Sequence, residues 1–446
     1  MKLDVWMDNV EDPVGVLDRA DDKTMRFTYA VGVPAEGRIS MSLPLGEQVF
    51  SDAACVAYFG NLLFEGQELD RVMALHRIDR DDIAGLLYHL GADCPGAISI
   101  TPEGTGPGKR PGVFPDDYEE LDQQRLEEIV RTLHVTGHLP EDERDPSPVA
   151  GVQPKLALVH RDGRFYLPKA GSRAPTTHIL KVSPLEEPSI TGREAALLSL
   201  ARRIGLDVID SHHLTFPGPR GDIGAILSSR FDRVVDGDVI RRLHAEDFCQ
   251  AAGLSRHLKY ERDAAPGGPR FSAQTVRDIA QQTAVPARFQ AEFLRHTLFN
   301  LAVGNTDNHA KNGSVLYTGP SGVLAPLYDV VPVMMHTRVT HEFSFSIGGA
   351  VFAEDLTITA LEAGMTDLGF RAARFSKPWV DVLRKVAENI DVVASEGDKA
   401  LADAVAAQLE VIETAIGVDL GMPERDYYPR QVRDEKPETT GWNGLS

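Results

Sequence analysis

Cysteine is scarce: the 446-residue chain has three, Cys55, Cys94 and Cys249, and none forms a C-x-x-C pair. That argues against a zinc ribbon and a disulfide framework, and leaves buried thiols in a reducing compartment as the expectation. Positive charge is also short. Lys and Arg number 46 against 66 Asp and Glu, a net charge of −20. Such a chain does not bind nucleic acid broadly through its own surface, though a small basic patch stays open. No apolar run approaches a membrane span, and the opening "MKLDVWMDNVEDPVG" has no apolar h-region, so a cytoplasmic protein without a membrane partner is expected. Also lacking are an internal repeat, a G-x-S-x-G elbow, a Cys nucleophile signature and an H-E-x-x-H motif. His134/His138 have the last motif's spacing but not its Glu. That pair and His212-His213 read as structural or surface residues.

What is present is an ordinary globular balance, 42% apolar, in a chain long enough for two or three domains. Residues 1–50 alternate between turn residues and predict a small antiparallel sheet. Helical spacing follows to residue 92, including a helix from Asp79 to Gly91, and "GADCPGAISITPEG" closes this part as a strand. "GTGPGKRPGVFP", 104–115, reads as a linker and "DDYEELDQQRLEEIVRTL" as a helix with a solvated charged face. A hairpin around Asp162-Gly163, the short strand "THILKVS" and the helix "TGREAALLSLARRIGLDV" come next, then strands around Gly237. The second half is mostly helical. The expected division is 1–103, a β-rich subdomain; 104–145, linker and helix; 146–245, a β-rich part; 246–430, a helical lobe; and 431–446, a disordered tail.

A β-rich lobe with one helix before a helical lobe invites a test for phosphoryl transfer. Asp307-Asn308-His309-Ala310-Lys311-Asn312 has the D-x-x-x-x-N spacing by which a kinase loop supplies a base and a Mg²⁺ ligand. A pattern this short also arises by chance, and an Asx-rich turn is the plain alternative. Asp329 ends the apolar run "LAPLYD" beyond a predicted hairpin, where a Mg²⁺-binding Asp belongs. Lys181 on "THILKVS" suits a phosphate-pairing strand lysine, or an edge lysine with a snorkelling stem. Glu194 is either that lysine's partner or, with Thr191, half of a capping box. "AGVQPK", 150–155, has a single glycine. It is neither G-x-G-x-x-G nor a Walker A loop, but its N–H groups and Lys155 could cradle phosphate.

In this order "AGVQPKLAL", "PTTHILKV", "GREAALLSLARRIGLDV", "SRFDR", "AEDFCQAAGL", "KYE", "GNTDNHAKNGS" and "LYDVV" resemble the HipA family of serine/threonine kinases, the toxins of bacterial HipA–HipB-type toxin–antitoxin modules. The likeness covers nearly the whole chain. It implies an α+β, bilobal protein-kinase-like fold with a small β-rich N-terminal subdomain and a mostly helical C-terminal lobe. It implies ATP and Mg²⁺, with Asp307 as catalytic base and Asn312 and Asp329 as metal ligands. Ala150, Gly151, Val152, Gln153, Pro154 and Lys155 would form the phosphate loop, and Lys181 would meet the ATP phosphates. Ser229 and Phe231 fall at the adenine hinge, and His309, Lys311 and Tyr328 at the nucleotide. Glu194 and Asp232 would support the site. The implied substrate is an aminoacyl-tRNA synthetase, the glutamyl enzyme first, with growth arrest and persistence as outcome. The implied partner is a HipB-like helix-turn-helix antitoxin dimer, through which DNA is reached only indirectly.

Two positions depart from the family. Pro148 stands where a regulatory serine is expected, with Ser147 beside it, so autophosphorylation is expected to be weak or displaced to Ser147. Ala245 stands in place of a Gln near adenine. A small-molecule kinase on the same scaffold, or a weakly catalytic co-repressor bound to an antitoxin, shares the same Asp–Asn–Asp set.

Overall fold

The computed structural model describes residues 1–63, 67–140, 143, 153–319 and 321–423. The expected tail, and Ser147 through Val152, lie outside the described residues. The chain divides into two compact units. The first comprises Met1–Pro188, Leu214–Arg256 and Ser314–Val323; the second comprises Ser189–His213, His257–Gly313 and Leu324–Ser446. Sheets and helices make up an α+β protein.

The first unit opens with the expected antiparallel sheet. Its strands lie in the order Val49–Phe50, Met25–Tyr29, Gly15–Arg19, Lys2–Met7, Ile98–Pro102. Met25, Phe27 and Tyr29 point inward while Arg26 and Thr28 point out, the period-2 pattern of a half-buried strand. The helix expected from Asp79 begins later, at Ile83. Asp82 stops it from starting earlier: its carboxylate caps the Gly85 N–H at 2.9 Å and accepts Arg19 at 2.6 and 3.0 Å. Asp79 and Asp81 are taken by Lys23 instead.

A six-stranded sheet follows, ordered Ser211–Phe216, Ile223–Ser229, His178–Val182, Lys155–Arg161, Arg164–Pro168, Tyr118–Leu121. Asp162 and Gly163 both have positive φ, as a two-residue hairpin turn requires. The helix expected over "DDYEELDQQRLEEIVRTL" is a strand in its first part. Tyr118–Leu121 pairs with Arg164–Pro168, burying Tyr118 and Leu121, and the helix Gln123–Thr136 begins after Asp122 caps Arg125. Leu126, Ile129, Val130 and Leu133 then pack that helix on the sheet core. In the stretch read as a linker, Gly112–Val113 pairs with Val239–Arg242.

A buried ionic network runs through this unit. Arg242, fully buried, holds Asp8 at 2.7 and 3.0 Å, Asp93 at 3.2 Å and the Ile98 carbonyl at 2.9 Å. Asp93 also meets Lys109 at 3.1 Å.

Glu246, on the strand Ala245–Asp247, is buried among donors. Ser40 Oγ lies at 2.5 Å, the Met41 N–H at 2.9 Å and the Tyr317 hydroxyl at 2.5 Å. Burial pushes its carboxyl up to about 7, against the pull of those donors. An unfolded glutamate titrates near 4.5. The folded chain therefore keeps a proton that the unfolded chain releases, and this group's stabilisation falls as pH rises between those values. In Glu246→Gln the fall in unfolding free energy from pH 5 to pH 8 is expected to be shallower than in the parent. Parallel slopes in denaturant titrations would show that Glu246 is already ionised.

The second unit is built from the helices Ile190–Arg203, Ala273–Ala280, Pro286–Ala302, Ile358–Asp367, Lys377–Glu388, Ile390–Glu396 and Lys399–Ile416. Phe289, Phe293, Leu298 and Phe299 of the Pro286–Ala302 helix are buried, so its end is a fixed platform for the loop that follows. Among the described residues no helix is long and apolar enough to cross a membrane.

Candidate active site

The Pro286–Ala302 helix gives way to the polar loop at Gly304, where φ is +65° and an added Cβ would come 2.2 Å from Met334 Sδ. Only glycine fits that turn. Asn305 closes it: the N–H donates to the Asn300 carbonyl at 2.9 Å and Nδ2 to Asn300 Oδ1 at 2.9 Å. Asn305 Oδ1 then accepts the Asp307 N–H at 3.2 Å. The Asp307 carbonyl in turn accepts the His309 N–H and Asn312 Nδ2, both at 2.8 Å. The asparagines that made this stretch look like a solvated turn therefore hold Asp307 by its backbone, and its carboxylate takes no part in the loop's own bonding.

Desolvation by the surrounding protein pushes the Asp307 carboxyl up to about 6; the Tyr260 hydroxyl and Lys259 pull it down, and the charge of Asp329 adds to the rise. A carboxylate so tuned can take a proton near neutral pH. Burial holds His309 well below its ordinary value, so the imidazole is neutral, and its Nδ1 has no partner among the described residues. Tyr328 donates to the Lys311 carbonyl at 3.2 Å. Asp329 sits at φ +55°, a left-handed backbone that Asp adopts more readily than most non-glycine residues.

The donors suit Mg²⁺. Asn312 spends its NH₂ on Asp307, which leaves its carbonyl oxygen as the cation-binding end, and Asp329 adds a carboxylate. Among the described residues no cluster of three or more His, Cys, Asp or Glu forms a protein-only cage. Two protein ligands are what a Mg²⁺ shared with phosphates and waters needs.

In the first unit, antiparallel pairing places Lys181 directly opposite Lys155. Two ammonium groups at this register could both reach one anionic ligand. Val182 donates to the Pro154 carbonyl at 2.8 Å, anchoring the described end of the AGVQPK block. Gln153 Nε2 is buried without a partner among the described residues. Ser229 ends its strand opposite His178, and Phe231 follows, half-buried. Asp232 is buried and held by Arg230 at 2.9 Å, Arg233 at 2.7 Å and the Gly96 N–H at 3.2 Å. It therefore fastens the Gly96 turn to the strand end. Glu194 is 1% exposed. Its capping-box alternative does not form, because the helix starts at Ile190 after Ser189 and Thr191 is already inside it. His134 bonds the Ser183 carbonyl at 2.6 Å, and His212 lies on the surface beside Asp210.

Tyr260 and Lys259 belong to the site; "KYE" contributes to the family resemblance, but nothing in the sequence gives either residue a role beside Asp307. The Tyr260 hydroxyl donates to Asp307 Oδ1 from 47 residues away, a separation no local spacing encodes.

The Asp–Asn loop and Asp329 of the second unit, and the facing lysines of the first, are residue types that a kinase uses. Residues 3–101 match the HipA N-terminal domain and residues 147–391 the HipA-like C-terminal domain. Y4mE of Sinorhizobium fredii, a candidate kinase by name, is 36% identical over 318 residues, 70% of this chain and 72% of that protein. The serine/threonine-protein kinase toxin HipA of Shewanella oneidensis is 30% identical over 322 residues, 69% of this chain and 70% of that protein. The chain belongs to the HipA family. Its fold matches a solved Shewanella oneidensis HipA, crystallised with HipB and operator DNA, at a TM-score of 0.73 and 24% identity, covering 93% of this chain and 98% of that one.

Proposed function

We propose that this chain is a bacterial toxin kinase that moves the γ-phosphate of ATP to a protein serine. The observation that carries this is the Asp307 carboxylate, held in one loop with Asn312 by bonds that use only its backbone and Oδ1, and near enough to Asp329 to feel its charge. Asn312 and Asp329 would hold the cation, and Lys155 and Lys181 would meet the phosphates. Mg²⁺ supplies positive charge over the transferring phosphoryl group. The serine oxygen bonds the γ-phosphorus, the bond to ADP breaks, and Asp307 takes the serine proton.

The substrate class that family membership favours is an aminoacyl-tRNA synthetase, the glutamyl enzyme first, phosphorylated in the cytoplasm with growth arrest and persistence as the result. The partner is a HipB-like helix-turn-helix antitoxin dimer, whose basic surface compensates the −20 charge of this chain at DNA. Incubation with γ-labelled ATP, Mg²⁺ and a lysate of the host is expected to label a synthetase on serine, with the signal lost in EDTA. Label found only on a small molecule would overturn the protein-kinase assignment, and label on a different protein would replace the substrate.

A further inference from the structure

The segment "KYER", 259–262, has no assigned role, yet it is laced to the catalytic loop. The Lys259 carbonyl accepts the Ala310 N–H at 3.0 Å, and Ser344, which donates to the Thr306 carbonyl at 2.7 Å, accepts the Glu261 N–H at 2.8 Å through its own carbonyl. Glu261 Oε2 accepts the Ser346 N–H at 2.5 Å. Between these anchors stands Tyr260, 3% exposed. The Arg262 guanidinium covers its ring at 3.9 Å and the edge of His309 meets it at 5.0 Å. The ring cannot turn without disturbing both, and its hydroxyl ends on Asp307 Oδ1.

Asp307 has two carboxylate oxygens, and the transfer uses one. Among the described residues nothing donates to Oδ2. We propose that Tyr260 is a positioning residue for Asp307: its hydroxyl fixes the carboxylate rotamer through Oδ1 and reserves Oδ2 for the substrate hydroxyl. This rests on the kinase assignment above. A hydrogen bond to a charged acceptor is short and directional, so it sets the angle at which Oδ2 meets the attacking group. A tyrosine kept for packing alone would need the ring and not the hydroxyl. A tyrosine that locks the base away would have the opposite effect on rate.

Tyr260→Phe separates the three. It keeps the ring under Arg262 and removes only the hydroxyl. The expected result is a kcat lower by about 10- to 100-fold, with KM for ATP within about twofold of the parent and an unchanged thermal midpoint. An unchanged kcat would assign Tyr260 to packing, and a raised kcat would assign it to a lock. A kcat that falls together with the thermal midpoint would trace the loss to packing as well. Each of these overturns the positioning role. Failure of the kinase assignment looks different, because the parent protein itself would then transfer no phosphate under the same conditions.

Discussion

Asp307→Ala is expected to lower phosphoryl transfer by about 100- to 10,000-fold, the range that a positioned general base contributes, while ATP binding persists. The structure predicts this separation because the bonds that shape the loop use the Asp307 backbone. Its N–H donates to Asn305, and its carbonyl accepts from His309 and Asn312. Alanine keeps all three. What is lost is the carboxylate, and with it the partner of the Tyr260 hydroxyl. Leaving that hydroxyl unpaired costs about 1–3 kcal/mol of stability, small enough for the variant to be purified folded. Single-turnover transfer from γ-labelled ATP gives the rate, and calorimetric titration with ATP gives the binding. Transfer at the parental rate would place the base on another residue.

Arg242→Ala is expected to remove about 3–5 kcal/mol of folding stability, although Arg242 lies outside the candidate site. Its side chain is 0% exposed and spans two carboxylates, a backbone carbonyl and Ser99 Oγ at 3.0 Å. Alanine leaves the Asp8 carboxylate with its ion pair gone, and Asp93 with Lys109 as its remaining direct ion pair and Arg230 and Arg233 further off. Pairs this deep are little screened by salt, so the loss persists at high ionic strength. Asp8 and Asp93 lie within the segment matching the HipA N-terminal domain and Arg242 within the C-terminal match, so the network joins both matched segments in one compact unit. Urea unfolding of parent and variant measures the difference. A loss under about 1 kcal/mol would mean that the two aspartates regain water or change protonation.

Local chemistry was legible in the sequence wherever a few neighbouring residues decide the geometry. The alternation in Met25–Tyr29 and the Asp162-Gly163 turn each follow from backbone sterics within about four residues. The spacing from Asp307 to Asn312 likewise reports one loop, and the order of motifs along the chain carried the family resemblance. The strand at Tyr118–Leu121 was misread as helix because its partner, Arg164–Pro168, lies more than forty residues away. Pairing to that partner outweighs the helical spacing of the charged stretch beside it.

The sequence by itself determined which groups could do chemistry and roughly where each element starts and stops, because caps, turns and periodicity act over one or two turns of chain. Only the tertiary structure decided which groups act on one another. Strand register set Lys155 against Lys181, packing buried Glu246 and raised its carboxyl, and the 259–262 segment brought the Tyr260 hydroxyl to Asp307. These pairings join residues tens to hundreds of positions apart, and their strength depends on desolvation that exists only once the chain has closed around them.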